Sequence, residues 1–168
     1  MRIKAKIVVL CAVLAFVCHG CGVYSFTGAS IPAEAKTVSV DYFPNHAQLV
    51  NPMLSNNLTN ALRDAMTNQT TLDMVETGGD IAFEGEIIDY KTTPVAITGQ
   101  TAAMNRLTVT VRVRFSNRLD DSKDFESTFS RYEDYPSDQD LNAVQESLTA
   151  TIIDALVEDI FNKALVNW

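Results

Sequence analysis

Between Arg106 and Phe115 the chain alternates without a break. Leu107, Val109, Val111, Val113 and Phe115 fall on one side, and Arg106, Thr108, Thr110, Arg112 and Arg114 fall on the other. Successive side chains of a strand point to opposite faces, whereas a helix would scatter these residues around its axis. The stretch therefore predicts a strand with one face against a core and one in water. A sheet with one apolar face needs a cover, and the simplest cover is a helix. The chain supplies one after Pro136-Ser137-Asp138, where Ser137 or Asp138 can cap a helix start. Leu141, Val144, Leu148, Ile152, Ala155, Leu156 and Ile160 then keep helical spacing for over five turns. Such a stripe is stable only when packed across a sheet.

The other segments fit the same plan. Thr37 to Phe43 alternates Val38 and Val40 with Ser39 and Asp41, a short strand closed by Pro44. Asn51-Pro52 reads as a helix start, and Leu54, Leu58, Ala61, Leu62, Ala65 and Met66 form one apolar face ending near Gln69. Thr71 to Glu76 is a second short strand, and Gly78-Gly79-Asp80 turns the chain. Ile81 to Tyr90 sets Ile81, Phe83, Gly85 and Ile87 against Ala82, Glu84, Glu86 and Ile88, and Pro94 is expected to end the regularity and open a 94–104 loop. After a polar turn over residues 117–123, Asp124 to Asp134 returns as a strand with Phe125 and Phe129 on a common face. The order predicts an α/β (α+β) two-layer sandwich. Both helices lie on one face of a mixed, mainly antiparallel sheet of four or five strands.

Ahead of this domain stands an export signal. Arg2, Lys4 and Lys6 precede an uncharged apolar run from Ile7 to Val17, well short of the roughly 20 residues of a membrane span. Gly20 is the small residue a signal peptidase needs, and Cys21 supplies a thiol for lipidation, although Cys18 stands where a bacterial lipobox usually has Leu. The expected division is a lipoprotein signal peptide over 1–20, a lipidated tether over 21–36 and a single domain over 37–168. Beyond the covalent lipid on Cys21, no cofactor is expected. The leader holds three of the 13 basic residues and none of the 21 acidic ones, so the mature chain carries 10 minus 21, or −11. Phosphate backbones would repel it, which excludes nucleic acid as a partner. Attachment to an anionic membrane must then come from acyl chains, of which a stable anchor needs more than one.

Chemistry that acts alone is missing. Cys21 is the only mature cysteine and His46 the only mature histidine, a residue expected in a solvated loop. No glycine-rich phosphate loop, nucleophile elbow or paired-histidine metal motif is present, so neither an enzyme nor a metal site is expected. The carboxylate pairs Asp120-Asp121, Glu133-Asp134 and Asp138/Asp140 fall in turn or capping contexts. Tyr132, Tyr135 and Pro136 read as a lid on the core, and Trp168 as its closure. Arg106, Arg112, Arg114 and Arg118 share one face if the strand runs far enough. They form either an anion site, with guanidinium groups forking onto phosphate, or cross-strand pairs with Glu84, Glu86 and Glu126. Under pairing, Arg106 and Arg118 are the members left for an anion.

The chain resembles the LptE family of lipopolysaccharide-assembly lipoproteins in Cys21-Gly22-Val23-Tyr24-Ser25-Phe26 with Gly28 and Pro32, in the strand Thr37 to Phe43 ending in Asn45, and in Leu58-Thr59-Asn60-Ala61-Leu62-Arg63-Asp64. Phe83-Glu84-Gly85-Glu86-Ile87-Ile88-Asp89-Tyr90 and Arg106-Leu107-Thr108-Val109-Thr110-Val111-Arg112-Val113 continue the likeness through the mature chain. The resemblance implies a non-enzymatic plug inside the outer-membrane β-barrel LptD, which helps the barrel fold and takes part in delivering lipopolysaccharide to the cell surface. It implies lipopolysaccharide as a ligand of basic residues, with Arg106, Arg112, Arg114 and Arg118 as candidates from the sequence reading alone. Gly22 after Cys21 is not the aspartate that retains lipoproteins at the inner membrane, which favours the outer membrane, periplasmic side. A secretion-channel lipoprotein or cell-wall synthase activator is the alternative, and an exported lipoprotein hydrolase a remote one.

Overall fold

The computed structural model describes residues 31–49, 51–95 and 104–166. The expected leader, lipidated Cys21 and core closure by Trp168 lie outside the described residues. Five strands and two helices follow in order: β1 (Thr37–Val40), α1 (Leu54–Gln69), β2 (Asp73–Val75), β3 (Ile81–Val95), β4 (Met104–Asn117), β5 (Phe125–Pro136) and α2 (Leu141–Phe161). The sheet order is β2-β1-β3-β4-β5. β1 runs parallel to both neighbours, which requires the crossover through α1. β3, β4 and β5 form an antiparallel meander. The expected mixed sheet under two helices is what forms.

One sheet face and the two helices enclose the core. Val38 and Val40 of β1, Ile81, Phe83 and Ile87 of β3, and all five odd-numbered apolar residues of β4 from Leu107 to Phe115 are buried against Leu58, Leu62, Met66, Ile152, Leu156 and Ile160. Phe115 joins two ring contacts, edge-on to Phe83 and stacked on Phe125, both at 5.2 Å. Ile31 and Ala35 pack on the same core, so the domain takes in the last residues of the expected tether.

Four local expectations are corrected. Pro94 does not end β3, which continues to Val95 paired with Met104. A bulge between Ile87 and Asp89 shifts the register, so that Tyr90 rather than Asp89 takes the next core position and the even–odd alternation is reversed beyond it. Past Ile87 no strand among the described residues flanks β3 on the β1 side, so the N–H that Pro94 lacks is not missed there. The cap of α2 is Asp140, whose carboxylate accepts the N–H of Asn142 at 2.8 Å, rather than Ser137 or Asp138. Asn51 accepts the N–H of Met53 at 3.1 Å, closing the turn before α1, whose N-cap position is Met53 itself.

Polar bonds tie the layers together. The buried Thr59 hydroxyl of α1 accepts the N–H of Phe43 at 3.1 Å, and Arg63 donates Nε and Nη2 to the carbonyl of Val40 at 3.1 and 2.7 Å. Gly85 is required where it stands. A Cβ there would lie 2.3 Å from the Arg112 carbonyl and 2.5 Å from the ring of Phe43, which is fully buried.

Candidate functional site

The helices cover one face of the sheet and leave the other open along the meander. The even-numbered residues of β4 and β5 project there, with Glu84 and Glu86 of β3 and, beyond the bulge, Asp89, Lys91 and Thr93. Cross-strand neighbours on one face interact when opposite in register. Arg112 stands between two such neighbours: its Nη1 lies 2.6 Å from Glu86 Oε1, and its Nε lies 3.8 Å from Glu126. His46 Nε2 is 3.6 Å from the second oxygen of Glu86. The Thr110 and Ser130 hydroxyls are 2.9 Å apart, and Lys91 reaches Asp89 at 2.5 Å.

Arg106 is the most firmly held cation of this face. It forks onto Asp134 with bonds of 2.7 and 2.9 Å, and its guanidinium lies 3.6 Å from the centroid of Tyr132. The geometry is bidentate and stacked, the arrangement in which arginine binds most specifically. The hydrogen bond from Arg106 holds the Asp134 carboxyl below its ordinary range, and Asp134 in turn raises Arg106. Sequence pairing had left Arg106 for an anion. The same hairpin register that sets Arg114 opposite Glu126 sets Arg106 opposite Asp134, so the signal was present in the spacing.

Arg118 lies past the end of β4 and leaves the face. It donates Nη1 to the carbonyl of Gly78 at 2.7 Å and its N–H to Asp80, bracing the turn before β3. Asp80 accepts the N–H groups of Lys36 and Thr37 and the Thr37 hydroxyl. Those bonds, led by the Lys36 N–H, hold its carboxyl below the usual value. Arg114 differs from the other three. It faces Glu84 and Glu126 in register, yet makes no ion pair or hydrogen bond with any described residue. It lines a shallow pocket of about 340 Å³ with Pro44, Glu84, Gly85, Glu86, Arg112 and Glu126.

The remaining candidates take structural positions. Asp120 accepts the N–H of Ser122 at 3.2 Å within the turn between β4 and β5, and its carboxyl is lowered first of all by the Ser122 hydroxyl. Tyr135 is buried as a lid, whereas Tyr132 is half exposed beneath Arg106. The face thus offers positioned charges, one aromatic ring stacked under an arginine, and hydroxyls. Such groups bind; they do not by themselves activate a nucleophile.

The domain is a two-layer α+β fold with one sheet face sealed by helices and the other carrying a lattice of mostly paired charges. Residues 35–164 match the LptE family, described as lipopolysaccharide-assembly, and the chain belongs to that family. It is a family of non-enzymatic outer-membrane lipoproteins. No curated protein matches the chain in sequence. Among solved structures, a minor lipoprotein from Acinetobacter baumannii is similar at 16% identity and a TM-score of 0.51, over 77% of this chain and 91% of that one. A homologue of a neuraminyllactose-binding hemagglutinin from Helicobacter pylori is similar at 6% identity and a TM-score of 0.53, over 83% and 88%. At these identities the likeness shows the fold.

Proposed function

We propose that this protein is anchored through lipid on Cys21 to the outer membrane, on its periplasmic side. There it plugs and helps assemble an LptD-like β-barrel and takes part in lipopolysaccharide transport to the cell surface. The family match over residues 35–164 carries this reading. The geometry supports it. Large membrane barrels have a polar interior, and the open sheet face is polar with most of its charges already paired. A paired lattice can lie against a polar wall without stranding single ions, whose burial is expensive. Among the described residues no helix is long and apolar enough to cross a membrane, in keeping with attachment through acyl chains.

Arg106, Arg112, Arg114 and Arg118 remain the proposed lipopolysaccharide contacts, with Arg114 first among them. Arg106 would have to leave a bidentate partner to grip a phosphate, Arg112 would leave Glu86, and Arg118 would release the 78–80 turn. Arg114 surrenders no ion pair or hydrogen bond to a described residue. Binding of purified lipopolysaccharide by charge-reversed variants tests this order: Arg114→Glu is expected to weaken binding most, and equal losses at all four positions would contradict it. The barrel reading is tested by isolating the membrane-extracted protein under mild detergent, where a large outer-membrane barrel is expected to accompany it.

A further inference from the structure

Among the described residues the sheet has three stretches of edge, and one of them is undefended. β2 is three residues long. β3 beyond Ile87 carries a bulge, Lys91 and Pro94. Short strands, bulges, lysine and proline are the devices that keep an edge from recruiting another chain. β5 is 12 residues long, pairs with β4 without a register shift, contains no glycine and has no proline before its last residue.

The ladder shows which backbone groups of β5 face outward. In an antiparallel sheet the hydrogen bonds of successive residues point to alternate sides. Arg118 donates its N–H to Asp80, so even-numbered residues of β4 bond towards β3 and odd-numbered ones towards β5. The register sets Val111 opposite Phe129 and Val113 opposite Ser127, so the odd residues of β5 complete that ladder. The N–H and C=O groups of Glu126, Thr128, Ser130, Tyr132 and Asp134 therefore point away from the sheet. No backbone hydrogen bond from another described segment reaches them. The same count, taken past the bulge, turns Pro94 outward on β3, where it blocks that edge.

We propose that the outer edge of β5 accepts an extended, cationic segment of a partner protein as a sixth strand. Strand addition takes its affinity from main-chain bonds and its specificity from alternate side chains. The side chains along this edge select for positive charge. Glu126 is exposed and has only the 3.8 Å contact to Arg112. Glu133 makes no ion pair with a described residue. Arg131, the one cation of the strand, is spent on Asp159 of α2 through bonds of 2.6 and 2.5 Å. A second copy of the chain is the poorer occupant, because residues 21–168 hold 10 basic and 21 acidic residues and two such copies repel.

The test uses the full chain and a synthetic peptide of about eight residues, the length of an ordinary strand, with alternating Val and Thr and a Lys at each end. Amide exchange followed residue by residue is expected to slow about tenfold or more at Glu126, Thr128, Ser130, Tyr132 and Asp134, with the odd-numbered amides of β5 unchanged. A Glu-ended peptide is expected to bind about tenfold more weakly, and Ser130→Pro to abolish protection while leaving the β4 ladder intact. Should Ser130→Pro not fold, N-methylation of alternate peptide residues removes the same bonds from the other side. Protection at Tyr90 and Thr92 instead, equal binding of both peptides, or even-residue protection that appears with protein concentration alone would each overturn the inference.

Discussion

Arg114 and Asp80 mark the two uses of charge in this molecule. Asp80 is folded into the scaffold, and its carboxyl lies below the ordinary value of 3.8 because three donors from Lys36 and Thr37 stabilise the anion. A depressed folded pKa contributes stability that is present above the unfolded pKa and is lost as pH falls through the folded one. Asp80→Asn is therefore expected to unfold at lower denaturant near neutral pH. Its loss of stability between pH 7 and pH 3 should also be smaller than that of the parent, a comparison that denaturant titrations at both pH values make directly. Arg114, by contrast, has no partner among the described residues to lose, so Arg114→Gln should leave the stability within about 0.5 kcal/mol of the parent. Arg106→Gln, which breaks the Asp134 fork and the stacking on Tyr132, should lower the denaturation midpoint where Arg114→Gln does not. Gly85→Ala places a methyl against the Arg112 carbonyl and the Phe43 ring and should cost about 1–3 kcal/mol. Trimming the ring with Phe43→Leu should return part of that loss in the double variant.

At the scale of elements, the sequence reading succeeded where one period governed a whole segment. Leu107 to Phe115 and Leu54 to Met66 fall where alternation and helical spacing set them. It failed where backbone geometry broke the period. Strict alternation from Ile81 to Ile87 would bring Asp89 to the core next, yet the bulge gives that place to Tyr90, and nothing in side-chain hydrophobicity announces an extra backbone residue. Pro94 signals a stop in sequence because proline cannot donate to a ladder, but a strand with one free edge has positions where no donor is needed. The cap of α2 moved to Asp140 because several residues before Leu141 can cap and only the path of the chain chooses among them. Of the candidate site, the partners of Arg112 followed from register, while the freedom of Arg114 did not: it depends on which rotamer reaches which carboxylate. Thr59 was invisible for a similar reason, being a polar residue on an apolar helix face whose use appears only when Phe43 arrives. Thr59→Val should cost about 1–2 kcal/mol by leaving the Phe43 N–H unsatisfied in the core, and thermal unfolding would show it.

Taken whole, the chain combines a domain whose helices seal one sheet face, a second face of paired charges, and an expected lipid anchor ahead of it. Each of these parts suits a protein that works by contact with a larger one. The anchor and the lattice make separable contributions on this account: Cys21→Ser should release the protein from the membrane fraction while a variant of the open face should not. The central claim is that the open face of β3, β4 and β5 lies against a barrel partner. Photoreactive residues placed at Thr110 and Thr128 on that face, and at Asp154 and Glu158 of α2 for comparison, test it in the intact outer membrane. The account predicts crosslinks from the sheet positions to one large barrel in a one-to-one complex. Crosslinks confined to the helix positions, or a ring of copies of this chain with no barrel attached, would contradict it.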